Sequence, residues 1–86
     1  MKTWEQFLTE NAIANILSDI PNNNNKTIVS NILVHHPDWV QSIMQFKQDR
    51  PAEYRKSVEN FKDNTANEEL IAKLANGQIL GYYDFM

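Results

Sequence analysis

Eighty-six residues without a cysteine make at most one domain, with no disulfide, no thiol nucleophile and no Cys-based zinc site. A net charge of −3 gives no bulk attraction to nucleic acid or to an acidic membrane surface, and no apolar run is long enough for a transmembrane helix or a secretory signal. Only two glycines and three prolines argue against a loop-rich or all-β chain.

The first element opens at Thr3-Trp4-Glu5-Gln6, a capping box with a hydroxyl at the N-cap and Gln three residues on. It carries an apolar stripe of Trp4, Phe7 and Leu8. The next stripe is Ile13, Ile16, Leu17 and Ile20. At about 100° per residue the two point roughly 180° apart, so one amphipathic helix cannot bury both on one core. The pattern predicts a break or bend near residues 9–11, with a new start at Thr9 or Asn11. The run Ile20–Lys26, IPNNNNK, then reads as a loop, because asparagine competes with helix by bonding its own backbone.

Ile28, Val29, Ile32, Leu33 and His36 form the stripe of a second helix, stopped at His36 by Pro37. Pro37 or Asp38 opens the next, with Trp39, Val40, Ile43, Met44 and Lys47 on one face. Asp49 is the expected cap of a further helix with Pro51 in its first turn and Tyr54, Val58 and Phe61 on its apolar face. Asn64, Thr65 or Asn67 caps a last helix bearing Leu70, Ile71, Leu74 and Ala75. Asn76-Gly77 closes it, Gly77 suiting the left-handed position. The tail QILGYYDFM is apolar and aromatic and favours extended backbone. Four short phrases ending in Pro or Ala (NILSDIP, NILVHHP, QFKQDRP, NFKDNTA) recur at about 14–16 residues. They are helix–cap–helix punctuation, since solenoid repeats are longer and share more sequence. The expected fold is all-α: a small bundle of four or five short helices with an apolar C-terminal tail.

Catalytic and cofactor signals are absent from the sequence. His35-His36 are adjacent and diverge on a helix, so they cannot act as the i, i+4 pair of a zinc site. No Gly-rich phosphate loop exists, and neither Ser30 nor Ser42 has a nucleophile motif around it. No metal, cofactor or enzymatic activity is expected. Lys47, Arg50, Arg55, Lys56 and Lys62 lie near Tyr54 and Phe61, as in a nucleic-acid surface. Asp49, Glu53, Glu59 and Asp63 interleave with them, and Glu59–Asp63 and Glu53–Lys56 read as a solvated charged face. In the tail, Ile79, Leu80, Tyr82, Tyr83, Phe85 and Met86 either complete the core or dock into a partner.

The opening decad, MKTWEQFLTE, resembles the head-targeting leader of internal head proteins from T-even bacteriophages. In that family a Met-Lys-Thr-aromatic start is followed by polar residues, Phe, an aliphatic residue, any residue and Glu. Met1, Lys2, Thr3, Trp4, Phe7, Leu8 and Glu10 stand in those places. The resemblance implies cleavage by a prohead protease after the Glu of an aliphatic-x-Glu signal, here Leu8-Thr9-Glu10, leaving Asn11 as the mature N-terminus. It covers ten residues. Internal head proteins are often basic. This chain is acidic, and removing Lys2, Glu5 and Glu10 moves its net charge only from −3 to −2.

Residues 1–10 are thus expected to be a leader-like element and residues 11–86 a single helical domain. The first functional expectation is a non-enzymatic phage protein, carried in the virion head, injected into the host cytoplasm, and acting there by binding and modulating or inhibiting a host protein. A phage scaffold or protease would read residues 1–10. The alternative is a cytoplasmic adaptor or regulatory protein-binding domain with no packaging role. A third reading is a nucleic-acid binder through residues 47–62, which the charge balance disfavours. Trp4, Tyr82, Tyr83 and Phe85 are the candidate interface residues, and a chain this small gains buried surface by forming a homodimer.

Overall fold

The computed structural model describes residues 4–78, with side chains from Glu10 onward. Five α-helices and one 3₁₀ turn make up the described chain: α1 (Trp4–Asp19), α2 (Asn23–Leu33), α3 (Pro37–Asp49), α4 (Pro51–Glu59), the 3₁₀ turn (Asn60–Lys62) and α5 (Glu68–Ala75). The all-α bundle is as the apolar periodicity predicts.

The first element differs from expectation. α1 runs without interruption through residues 9–11, so the predicted break is absent. Its second half buries Ile13, Ile16 and Ile20, with Leu17 half-buried against the core. Asn11, Ala14, Asn15 and Ser18 are exposed. Helix propagation adds a hydrogen bond for each residue fixed, and nothing between Leu8 and Ile13 is a helix breaker. The opposed stripes are therefore carried on one continuous helix.

The asparagine run is the second departure. Only Asn22 lies outside the helix. It adopts φ 79°, a left-handed conformation that asparagine tolerates, and its Oδ1 accepts a hydrogen bond from the Asn24 N–H at 2.9 Å. Asn23, Asn24 and Asn25 form the first turn of α2. Asn25 is turned inward and fully buried. Its Nδ2 donates to the Phe61 and Asn64 carbonyls at 2.6 and 2.8 Å, and its Oδ1 accepts from the Ala66 N–H at 2.8 Å. These bonds fix the connection between the 3₁₀ turn and α5, whose backbone groups would otherwise be buried without partners.

α2 ends at Leu33, three residues before the predicted stop, because Val34 and His35 form the turn into α3. Pro37 and Pro51 each open a helix, where a missing N–H costs nothing. The residue at the N-cap of α4 is Arg50, without a side-chain cap, and not Asp49. Asp49 instead accepts from Gln45 one turn back. Asn67 is the cap of α5, accepting from the Leu70 N–H at 2.9 Å. Gly77, at φ 76°, closes α5. Its N–H reaches the Leu74 carbonyl and the Gln78 N–H the Lys73 carbonyl, the paired bonds of a Schellman motif.

α3 is the central helix, with Val40, Ile43 and Phe46 buried. Tyr54, Val58 and Phe61 close over it from α4 and the 3₁₀ turn, and Leu70, Ile71 and Leu74 from α5. The starts of α3 and α5 lie together at His36 and Glu68. Their ends meet where Arg50 donates to the Gly77 carbonyl. The ends of α1 and α3 also lie together, because Lys47 reaches both Asn15 and Asp19.

Candidate functional site

The largest concentration of polar chemistry lies where α1, α3 and α4 meet. A cleft of about 330 Å³ is lined by Ser18, Asp19, Lys47, Tyr54, Arg55 and Glu59, among others. Asp19 Oδ2 accepts from Lys47 Nζ at 2.6 Å and from the Tyr54 hydroxyl at 2.9 Å. Lys47 Nζ also donates to Asn15 Oδ1 at 2.8 Å and sits 5.7 Å from the Tyr54 ring centroid. Burial, together with the Asp19 carboxylate at its hydroxyl, pushes the Tyr54 phenol well above its ordinary value. Tyr54 therefore stays a protonated donor across the working pH range and cannot serve as a base. The cation, carboxylate and phenol satisfy one another. The arrangement joins three helices and presents no unengaged nucleophile or acid–base pair.

His36 stands at the other end of α3. Its ring stacks on Trp39 with centroids 3.7 Å apart and planes 8° apart, and its Nε2 lies 3.9 Å from Glu68 Oε1. His35 is exposed on the turn. Among the described residues no three His, Asp or Glu side chains are grouped to hold a metal ion.

The basic stretch 47–62 is dispersed. Lys47 is engaged with Asp19. Arg50 pairs with Glu53 at 3.1 Å and covers the Phe46 ring at 4.9 Å, so Glu53 turns to Arg50 and not to Lys56. Tyr54 and Phe61 are in the core, where no base can stack on them. Arg55, Lys56 and Lys62 are exposed beside Glu59 and Asp63.

Glu10 and Asn11, the residues flanking the expected processing point, are both exposed on α1. Leu8 and Trp4 lie in the helical backbone of α1, within the segment whose side chains are not described. Tyr82, Tyr83 and Phe85 lie outside the described residues.

The exposed surface divides in two. From Asn11 to Gln48 the exposed side chains are almost all amides, hydroxyls and small groups, and Asp38 is the one exposed Asp, Glu, Lys or Arg. From Asp49 to Glu69 exposed charges crowd the surface: Asp49, Arg50, Arg55, Lys56, Glu59, Lys62, Asp63, Glu68 and Glu69. Sequence reading found the charged half and overlooked the neutral one. Its signal was a stretch of Asn, Gln, Ser and Thr at the positions between the apolar stripes.

The fold defines the class: a small all-helical bundle in which no described helix is long and apolar enough to cross a membrane. Beyond that class, the chain matches no protein-family model, no curated protein and no solved structure.

Proposed function

We propose that this chain is a non-enzymatic phage protein that travels in the virion head by means of residues 1–10 and acts in the host cytoplasm by binding and modulating or inhibiting a host protein. The observation that supports the leader is the exposure of Glu10 and Asn11 on α1, the two residues that flank the expected processing point. The stub left behind keeps Ile13, Ile16 and Ile20, and Asn11 is a favoured helix N-cap. Lys2, Thr3, Trp4, Phe7 and Leu8 would then serve recognition by a scaffold or protease.

The protein-binding role is supported by the neutral surface of α2 and α3. Depletion of charge is the compositional mark of interface cores, and amides adapt to either donor or acceptor. Asn23, Thr27 and Asn31 are exposed on α2, and Gln41, Gln45 and Gln48 are exposed on α3. Their lack of charge favours a protein partner over nucleic acid. The same surface would serve the alternative role of adaptor without packaging.

Mass spectrometry of purified virions tests the packaging role. A species beginning at Asn11 is the expected result, and absence of the chain from virions would sink it. Co-purification from infected or expressing host cells identifies the partner. Gln45→Glu with Asn31→Asp should weaken that capture, and unaffected capture would exclude this surface.

A further inference from the structure

Asn76 is the one asparagine of the chain followed by glycine; every other asparagine precedes a residue with a side chain. That pairing has a chemistry of its own. The main-chain nitrogen after an asparagine can attack the side-chain carboxamide, and glycine leaves that nitrogen unshielded. Asn76 is exposed, and its carboxamide makes no hydrogen bond among the described residues. With Gly77 it borders an open cleft of about 310 Å³ that Ser42, Gln45 and Asp49 also line. The carboxamide is thus free to react and within reach of water.

The nitrogen that would attack it is held back. The Gly77 N–H donates to the Leu74 carbonyl at 3.0 Å, and the Gln78 N–H donates to the Lys73 carbonyl at 3.0 Å. At φ −83° and ψ 5°, Asn76 turns the Gly77 nitrogen back toward α5. On its other side Gly77 is tied to the start of α4, because its carbonyl accepts from the Arg50 guanidinium. That group stands so close that a Cβ at Gly77 would lie 3.3 Å from it. Ring closure needs the Gly77 nitrogen to leave the Leu74 carbonyl and swing toward the Asn76 side chain.

We propose that Asn76 is a site of spontaneous deamidation, and that the Schellman closure and Arg50 together keep it unreacted while the end of α5 stays closed. When that end opens, the Gly77 nitrogen loses its proton to hydroxide and attacks Cγ of Asn76. A C–N bond forms, the bond to the carboxamide nitrogen breaks, and ammonia leaves with a proton taken from water. Water then opens the resulting five-membered imide at either carbonyl, giving aspartate or isoaspartate. No oxidant, metal or cofactor enters the balance. Aspartate puts a negative charge at the end of α5, where the helix dipole disfavours it. Isoaspartate adds a methylene to the main chain and moves the Gly77 and Gln78 N–H groups out of register with their carbonyls. Both products weaken the closure, so the modification is a one-way record of how often the end of α5 has opened. It does not rest on the packaging role.

Peptide mapping by mass spectrometry, on the full chain aged in mildly alkaline buffer with and without urea, tests the proposal. In urea Asn76 should convert faster than any other asparagine, to both aspartate and isoaspartate. In native buffer it should convert at least about tenfold more slowly, since only the opened fraction reacts. Arg50→Met should raise the native rate severalfold and leave the rate in urea unchanged. Lys47→Met, whose partners are on α1 and α4, should leave the native rate as it is, which separates local opening from general loss of stability. A faster site elsewhere in urea overturns the assignment of Asn76, and equal rates in native buffer and urea overturn its protection. A native rate indifferent to Arg50→Met, or raised as much by Lys47→Met, overturns the part given to Arg50. If Arg50→Met does not fold, the wild-type rates in the two media still decide the first two points.

Discussion

Two polar clusters tie distant parts of this chain together, and they do so by different physics. Asn25 is a neutral amide, buried, bonded only to backbone, and its three partners lie 36 to 41 residues away. The Asp19–Lys47–Tyr54 cluster is charged and half-exposed, with about 30% of the Asp19 and Lys47 side chains open to solvent. A buried neutral network is fully felt when broken, because each orphaned backbone group keeps its desolvation penalty. A half-exposed ion pair is screened, and water replaces a lost partner. The amide should therefore dominate stability although it carries no charge.

Breaking the amide is the most severe test. Asn25→Ala should cost about 3 kcal/mol or more, since two carbonyls and one N–H lose their partner in a dry site. Chemical denaturation would show it as a large drop in midpoint, unaffected by salt. Asn25→Asp should be no better, because a carboxylate oxygen would face the Phe61 and Asn64 carbonyls in place of the amide donor. A loss under about 1 kcal/mol would mean that the connection before α5 does not need this residue.

Asn67 offers the same side chain in water. It accepts one backbone N–H at the start of α5 and is exposed. Asn67→Ala should cost about 1 kcal/mol, the usual value of an N-cap. If it equalled Asn25→Ala, burial would not be what separates the two.

Lys47→Met should cost at most about 1 kcal/mol at low salt, discounted for exposure, and less as ionic strength rises. Guanidinium and urea melts compared across salt concentrations would resolve this. A salt-independent loss would point to the packing of the lysine stem against Tyr54 and not to its charge.

Tyr54→Phe should have the smallest effect at neutral pH and the clearest pH signature. The folded-state phenol titrates above its unfolded value of about 10. Its contribution is thus complete below pH ~10 and declines as the pH rises through the folded value. The wild-type chain should lose stability in the alkaline range, and the phenylalanine variant should lose less. Parallel alkaline melts for both proteins would remove Tyr54 as the cause.

Much of this architecture was legible in the residues. Pro37 and Pro51 mark helix starts wherever they occur at a helix boundary, because a fixed φ and a missing N–H suit only the first turn. Asn67 and Gly77 announce the ends of α5 for equally local reasons. The stripes of α3, α4 and α5 predict their buried faces. The candidate site was less legible. Lys47 was read as part of an apolar face or a basic patch, and only the approach of α1 gave it Asp19 as a partner.

The sequence by itself determined what short-range sterics and hydrogen bonding determine: which segments are helical, most of their caps, and the apolar side of α2 to α5. Two features awaited the tertiary structure. Four consecutive asparagines favour a loop locally, yet Asn25 gains three hydrogen bonds by turning inward, and that outweighs the propensity. The opposed stripes of α1 suggested a break. An unbroken helix needs no second nucleation, and each added residue contributes a hydrogen bond, so α1 continues through residues 9–11. Propensity acts over a few residues. Burial depends on what the rest of the chain brings alongside.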